Sequence, residues 1–171
     1  MTKGSFKTFK KICQEKKLEK QKRDKEWWHA VPRFISRYIT WILVKTPISA
    51  NFITIFSVIV CIAGLIFIGL ANPFLILLGF IFLYIYLVLD EVDGEVARYK
   101  EQTSIHGIFF DEIGHLFIHT GLFFTFGYSI YRITRDELFL ILGILTALFF
   151  LGIRIIRRIP LVAGSKGGFR K

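Results

Sequence analysis

Charged and apolar positions are sorted into blocks along this chain. After a polar N-terminal stretch come four apolar runs. Residues 52–71 are twenty positions without a charge, about the ~20 needed for a helix to cross a hydrocarbon core. Asn72 and Pro73 form a short turn. The second run, 74–89, leads directly into the charged stretch DEVDGEVAR; the third covers about 105–130 and the fourth 138–156. The pattern predicts an all-α, polytopic membrane helix bundle with about four visible spans. Just before the first span, 31–45 reads as an amphipathic interfacial helix. Trp27, Trp28, Tyr38 and Trp41 are placed like an aromatic belt at the membrane boundary.

Charge refines this picture. Lys and Arg number 23 against 13 Asp and Glu, a net charge of +10, and nine of the lysines precede Trp27. Beside the apolar runs, that basic excess fits a membrane surface better than nucleic acid. Within the arm, Phe6, Phe9, Ile12 and Cys13 recur at helical spacing. The arm reads equally as a helix lying on anionic lipid or as a solvated basic tail. Cys13 lies in this arm and Cys61 in an apolar run, which argues against a disulfide framework. The opening MTKGSFKTFKK has no apolar core and does not read as a secretory signal. The organisation expected is a basic cytoplasmic arm at 1–30, a membrane domain at 31–160 and a loose tail at 161–171. Basic residues cluster in the arm, at Arg98–Lys100 and in the tail. The positive-inside bias therefore places both termini and the 90–107 region on the cytoplasmic side of the cell membrane.

The candidate chemistry sits where the second and third runs meet this side. Asp90, Glu91, Asp93 and Glu95 end the second run, and Asp111, Glu112, His115 and His119 begin the third. Ionisable residues at such depth are costly and mark function by default. Glu91, Glu95 and Glu112 read more simply as polar helix ends. On a helix, residues three and four apart share a face. Asp90, Asp93, Gly94 and Ala97 make one stripe; Gly107, Asp111, His115 and His119 make another. Brought together on antiparallel helices, three carboxylates repel unless cations intervene, and oxygen-rich clusters favour Mg²⁺, Mn²⁺ or Ca²⁺. Gly94, Ala97 and Gly107 leave room for a ligand against the backbone, and Arg98 offers a fork suited to phosphate. The combination implies a phosphorylated, polyanionic ligand.

These residues resemble a family signature. Asp90, Asp93, Gly94, Ala97 and Arg98, then Gly107 and Asp111, reproduce D-x-x-D-G-x-x-A-R, eight residues, G-x-x-x-D. This is similar to the CDP-alcohol phosphatidyltransferases, integral membrane enzymes of phospholipid synthesis. Pro47, Asn51 and Thr54 resemble the element that opens the family's first span, although Ile48–Ala50 interrupt it, and Ser104 fills the usual hydroxyl position after the motif arginine. The resemblance, over roughly residues 30–130, implies that Asp90, Asp93, Asp111 and the next motif position hold two divalent ions, Mg²⁺ or Mn²⁺. It implies that Gly94, Arg98 and Ser104 line the CDP site and that Asn51 and Thr54 close over it. The partners implied are a CDP-alcohol donor such as CDP-diacylglycerol, a hydroxyl acceptor, membrane lipids and a second copy of the chain.

Two departures stand out. The family motif ends on a further aspartate, the base and a metal contact, where this chain has His115. Imidazole serves as a base near neutral pH or as a ligand for transition metals. His115 is thus a working base, or it marks a relative that binds nucleotide and metal but turns over poorly. His119 supports it or is a helix-packing histidine. The family fold has six spans, and four are visible here, so the others are dispensable, supplied by a partner, or part of a longer protein. The reaction expected is metal-assisted transfer of a substituted phosphate to an alcohol activated by His115, releasing CMP. Arg132 and Arg135 fall on the far face. Arg154, Arg157 and Arg158 anchor the fourth run or bind an anionic acceptor. A small divalent-cation carrier is the other alternative, disfavoured because the first span carries almost no polar residues.

Overall fold

The computed structural model describes residues 30–102 and 105–167; the basic arm and Ser104 lie outside the described residues. Every described element is helical: α1 Ala30–Leu43, α2 Ala50–Gly69, α3 Pro73–Lys100, α4 Ile105–Leu116, α5 Leu122–Thr134 and α6 Glu137–Gly167, with a π-helical turn at Phe117–Gly121 between α4 and α5. In hydrocarbon every backbone N–H and C=O must be paired within the chain, which leaves helices as the economical way across.

Short polar residues start the spans. The Ser49 hydroxyl accepts the Phe52 N–H at 3.3 Å. The Asn72 side chain accepts those of Phe74 and Leu75 at 3.0 and 3.4 Å, with Pro73 at the first helical position. Asp136 accepts the Leu138 N–H at 3.0 Å. Three helices end on a residue with positive φ that is not glycine: Ala71 (58°), Glu101 (57°) and Arg135 (61°).

Three segments are long and apolar enough to cross a membrane as unbroken helices: Ala50–Gly69, Pro73–Lys100 and Glu137–Ile156. The third expected span is different. Residues 105–134 are helical throughout, but α4 and α5 are joined through the wider π turn. Such turns insert a residue into the helical ladder and often occur at functional sites. The second span is longer than its apolar run, because DEVDGEVAR continues α3 to Lys100. The fourth continues to Gly167, so residues 161–167, expected as loose tail, have helical backbone.

The chain divides into two compact units, one holding residues up to Ile62 with Ile81–Gly114, the other Ala63–Phe80 with the residues from His115 onward. In the first unit, Ala50, Ile53, Val88, Val92 and Val96 form a buried core, with Ile35, Ile39 and Leu43 of α1 packed against it. The amphipathic helix expected at 31–45 is present as Ala30–Leu43, but its polar side faces inward. Arg33, Ser36 and Thr40 are buried, while Val31, Phe34, Tyr38 and Ile42 are exposed. The cause lies on α3, where Glu91 and Glu95 are buried too and take these polar groups as partners. In the second unit, α5 and α6 cross at a glycine pair. A Cβ on Gly127 would lie 2.7 Å from both Gly143 Cα and the Phe139 carbonyl. Small residues let helix backbones approach closely where packing, rather than water exclusion, drives association.

Candidate metal and nucleotide site

α3 presents its motif residues through simple helical periodicity. Asp90 is half-buried, Asp93 is buried, and Gly94, Ala97 and Arg98 are half-buried. The Arg98 guanidinium folds back over Gly94: a Cβ there would lie 3.2 Å from Nη1 and 3.8 Å from Nη2. Gly94 thus leaves space that the guanidinium partly fills.

On α4, Asp111 and His115 are one turn apart. The helix is continuous through Leu116, so its own geometry carries the imidazole next to the carboxylate. Asp90, Asp111 and His115, all half-buried, each offer a ligand atom, and these atoms lie within 4.8 Å of one another. Among the described residues, this is the group of three or more such side chains that closes around a single position. Asp93, expected beside them, is buried further along α3 and is not in the group. His119 stands on the π turn with its ring stacked on that of His115, at 6.1 Å between centroids and 21° between planes. It is exposed.

Two residues the sequence reading passed over complete the surroundings. Tyr86, 1% exposed, lies one turn before Asp90 on α3. Its hydroxyl would be 3.1 Å from a Cβ on Gly114, and Val58 of α2 would be 3.2 Å away. Gly114 therefore lets α4 close on α2 and α3 between Asp111 and His115. The available signal was the Tyr86–Asp90 spacing of four, hidden inside an apolar run.

The start of α2 is tied to the end of α3. Lys100 Nζ donates to the carbonyls of Thr46 and Ile48 at 2.6 and 2.7 Å, and the Ala50 N–H donates to Gln102 Oε1 at 3.4 Å. This fixes the turn that leads into Asn51 and Thr54. Thr54 is buried, and its hydroxyl donates to the Ala50 carbonyl at 3.1 Å; Asn51 is half-buried. Glu91 and Glu95, read from sequence as polar helix ends, are internal. Arg33 Nε donates to Glu91 Oε1 at 3.3 Å. The Ser36 and Thr40 hydroxyls donate to Glu95 Oε1 and Oε2 at 3.1 and 2.7 Å.

A family model described as CDP-alcohol phosphatidyltransferase matches residues 47–167. The chain belongs to the CDP-alcohol phosphatidyltransferase family. No curated protein matches it. The match reaches beyond the expected 130 to cover α5 and the whole of α6, so the fourth apolar run is part of the family domain; α1 precedes it. Members transfer phosphate-containing groups from CDP-alcohols in phospholipid synthesis and generally use divalent metals, and with its apolar helices this chain is an integral membrane protein. The residues present suit such an ion. Two carboxylates and an imidazole within 4.8 Å make a mixed oxygen and nitrogen donor set, and imidazole extends the choice toward transition metals such as Mn²⁺.

Proposed function

We propose that this protein transfers a substituted phosphoryl group from a CDP-alcohol, such as CDP-diacylglycerol, to an acceptor hydroxyl, releasing CMP. The observation that carries this reading is the closure of Asp90, Asp111 and His115 around one position in a chain of this family. Divalent ions, Mg²⁺ or Mn²⁺, would supply charge neutralisation at the donor diphosphate when bound. Asp90, Asp93 and Asp111 are assigned to hold them. Gly94 and Arg98 are assigned to the nucleotide diphosphate, the first by leaving backbone space and the second by its fork of donors. Asn51, Thr54 and Ser104 are assigned to the nucleotide from the flanking segments.

His115 is assigned as the base. A neutral imidazole has one ring nitrogen with a free lone pair, so at any instant it either ligates or accepts a proton. With the Asp90 and Asp111 carboxylates beside it to hold an ion, the proton is the better use of the imidazole. The acceptor hydroxyl gives its proton to His115 as its oxygen bonds to the phosphorus that carries the substituent; the bond from that phosphorus to the CMP oxygen breaks, and CMP leaves. The site and both termini are assigned to the cytoplasmic side, a reading the basic flanks support, and the working unit is assigned as a homodimer.

The test is CDP-dependent stabilisation of the detergent-solubilised protein, followed by CMP release from CDP-diacylglycerol with Mn²⁺ or Mg²⁺. The reading predicts both; no response to CDP with either metal would sink it. Asp93→Asn should abolish turnover while expression stays close to wild type. A poorly active relative is separated by His115→Asp: a large gain in activity would mark impairment, and a loss supports histidine as the native base.

A further inference from the structure

The inward polar side of α1 has no place in the chemistry above, and it is built with unusual care. Arg33, Ser36 and Thr40, spaced three and four apart, are at most 7% exposed. They meet Glu91 and Glu95, spaced four apart and at most 4% exposed. The contacts include an ion pair at 3.3 Å and hydroxyl–carboxylate bonds at 3.1 and 2.7 Å. With about 100° per residue, Glu91 and Glu95 lie roughly a third of a turn round α3 from Asp90 and Gly94. The seam and the motif stripe thus share the same two turns of one helix.

A buried ionic contact is a poor way to gain stability, since desolvation offsets much of the attraction. Its best-attested use is to specify register, because sliding or rotating the helix strands a buried charge. Apolar side chains alone, such as Val92 and Val96 against Ile35 and Ile39, tolerate small rotations. We propose that Glu91 and Glu95 are positioning residues: gripped by Arg33, Ser36 and Thr40, they set the rotation of α3 and so the aim of Asp90, Asp93, Gly94 and Arg98. The outer side of α1, with Val31, Phe34, Tyr38 and Ile42 exposed, leaves the helix held from within.

This inference rests on the proposed function, and its test separates the two. Binding of CDP with Mn²⁺ is measured by calorimetry on the full chain in detergent, and binding of Mn²⁺ alone by electron paramagnetic resonance, beside the melting temperature. Thr40→Val, nearly isosteric, and Glu91→Gln should weaken CDP binding about tenfold or more and raise the donor KM, and each should also melt earlier, because each leaves a buried charge short of a partner. Arg33→Glu should lose CDP binding, and Arg33→Glu with Glu91→Arg should recover it. That recovery keeps the test valid even if the single variant folds poorly. If Thr40→Val and Glu91→Gln bind as wild type does, or only melt earlier, the positioning role is overturned and the function stands. A wild-type chain that takes up neither Mn²⁺ nor CDP overturns both.

Discussion

At the scale of single residues, His115 decides most. A ring nitrogen lies within 4.8 Å of a carboxylate oxygen of Asp90 and of Asp111, and the base assignment makes a divided prediction. His115→Ala should lower kcat by about 10² or more, the usual worth of a general base, while Mn²⁺ affinity changes little. A large loss of Mn²⁺ affinity with modest loss of kcat would reassign it as a ligand. Gly94→Ala makes a second prediction. The added Cβ meets the mobile end of Arg98 rather than backbone, so the fold should survive while the guanidinium is displaced and the KM for the CDP donor rises. The candidate stripes were legible in the sequence because helical spacing alone puts Asp93 one turn from Asp90 and His115 one turn from Asp111; which of them meet across helices was not, and Asp93 stays outside the group of Asp90, Asp111 and His115. The partners of Glu91 and Glu95 were not, because they lie 58, 59 and 55 positions away. No local pattern announces which side of an amphipathic helix faces a buried carboxylate.

At the scale of elements, close crossings and helix ends carry the predictions. Gly127→Ala puts a Cβ 2.7 Å from backbone atoms of α6. Overpacking of that kind costs about 1–3 kcal/mol, so the variant should melt earlier in detergent, and Gly127→Leu earlier still. Ala71, at φ 58°, sits where glycine is easier. Ala71→Gly should therefore stabilise by roughly 0.5–1 kcal/mol, the relief of left-handed strain less the added freedom of the unfolded chain. The spans and the Asn72–Pro73 turn were legible because length, apolarity and proline are local signals. The π turn at Phe117–Gly121 was not, because its one-residue shift of phase leaves the apolar run looking like an ordinary helix. The helix at 31–45 was legible in place but not in facing: Arg33, Ser36 and Thr40 look like a water-facing stripe until α3 is set beside them.

At the scale of the whole molecule, the family match over residues 47–167 and the all-helical architecture agree with the apolar pattern read from sequence, since a bilayer narrows the choice of fold to few solutions. One consequence follows from the uninterrupted length of α3. From Pro73, at ~1.5 Å per residue, Asp90 lies ~26 Å and Asp93 ~30 Å along the axis, close to the ~30 Å thickness of a hydrocarbon core. With Pro73 at one edge of the hydrocarbon core, α3 would act as a depth gauge, holding its carboxylates near the opposite edge, just below the lipid phosphates. A donor that keeps its acyl chains in the bilayer would bring its diphosphate to that level without being lifted. Reconstituted activity should accordingly peak in bilayers of about this thickness and fall as longer acyl chains thicken the core, since mismatch either submerges Asp90 or tilts the helix. An activity indifferent to acyl-chain length would mean that the gauge plays no part in turnover.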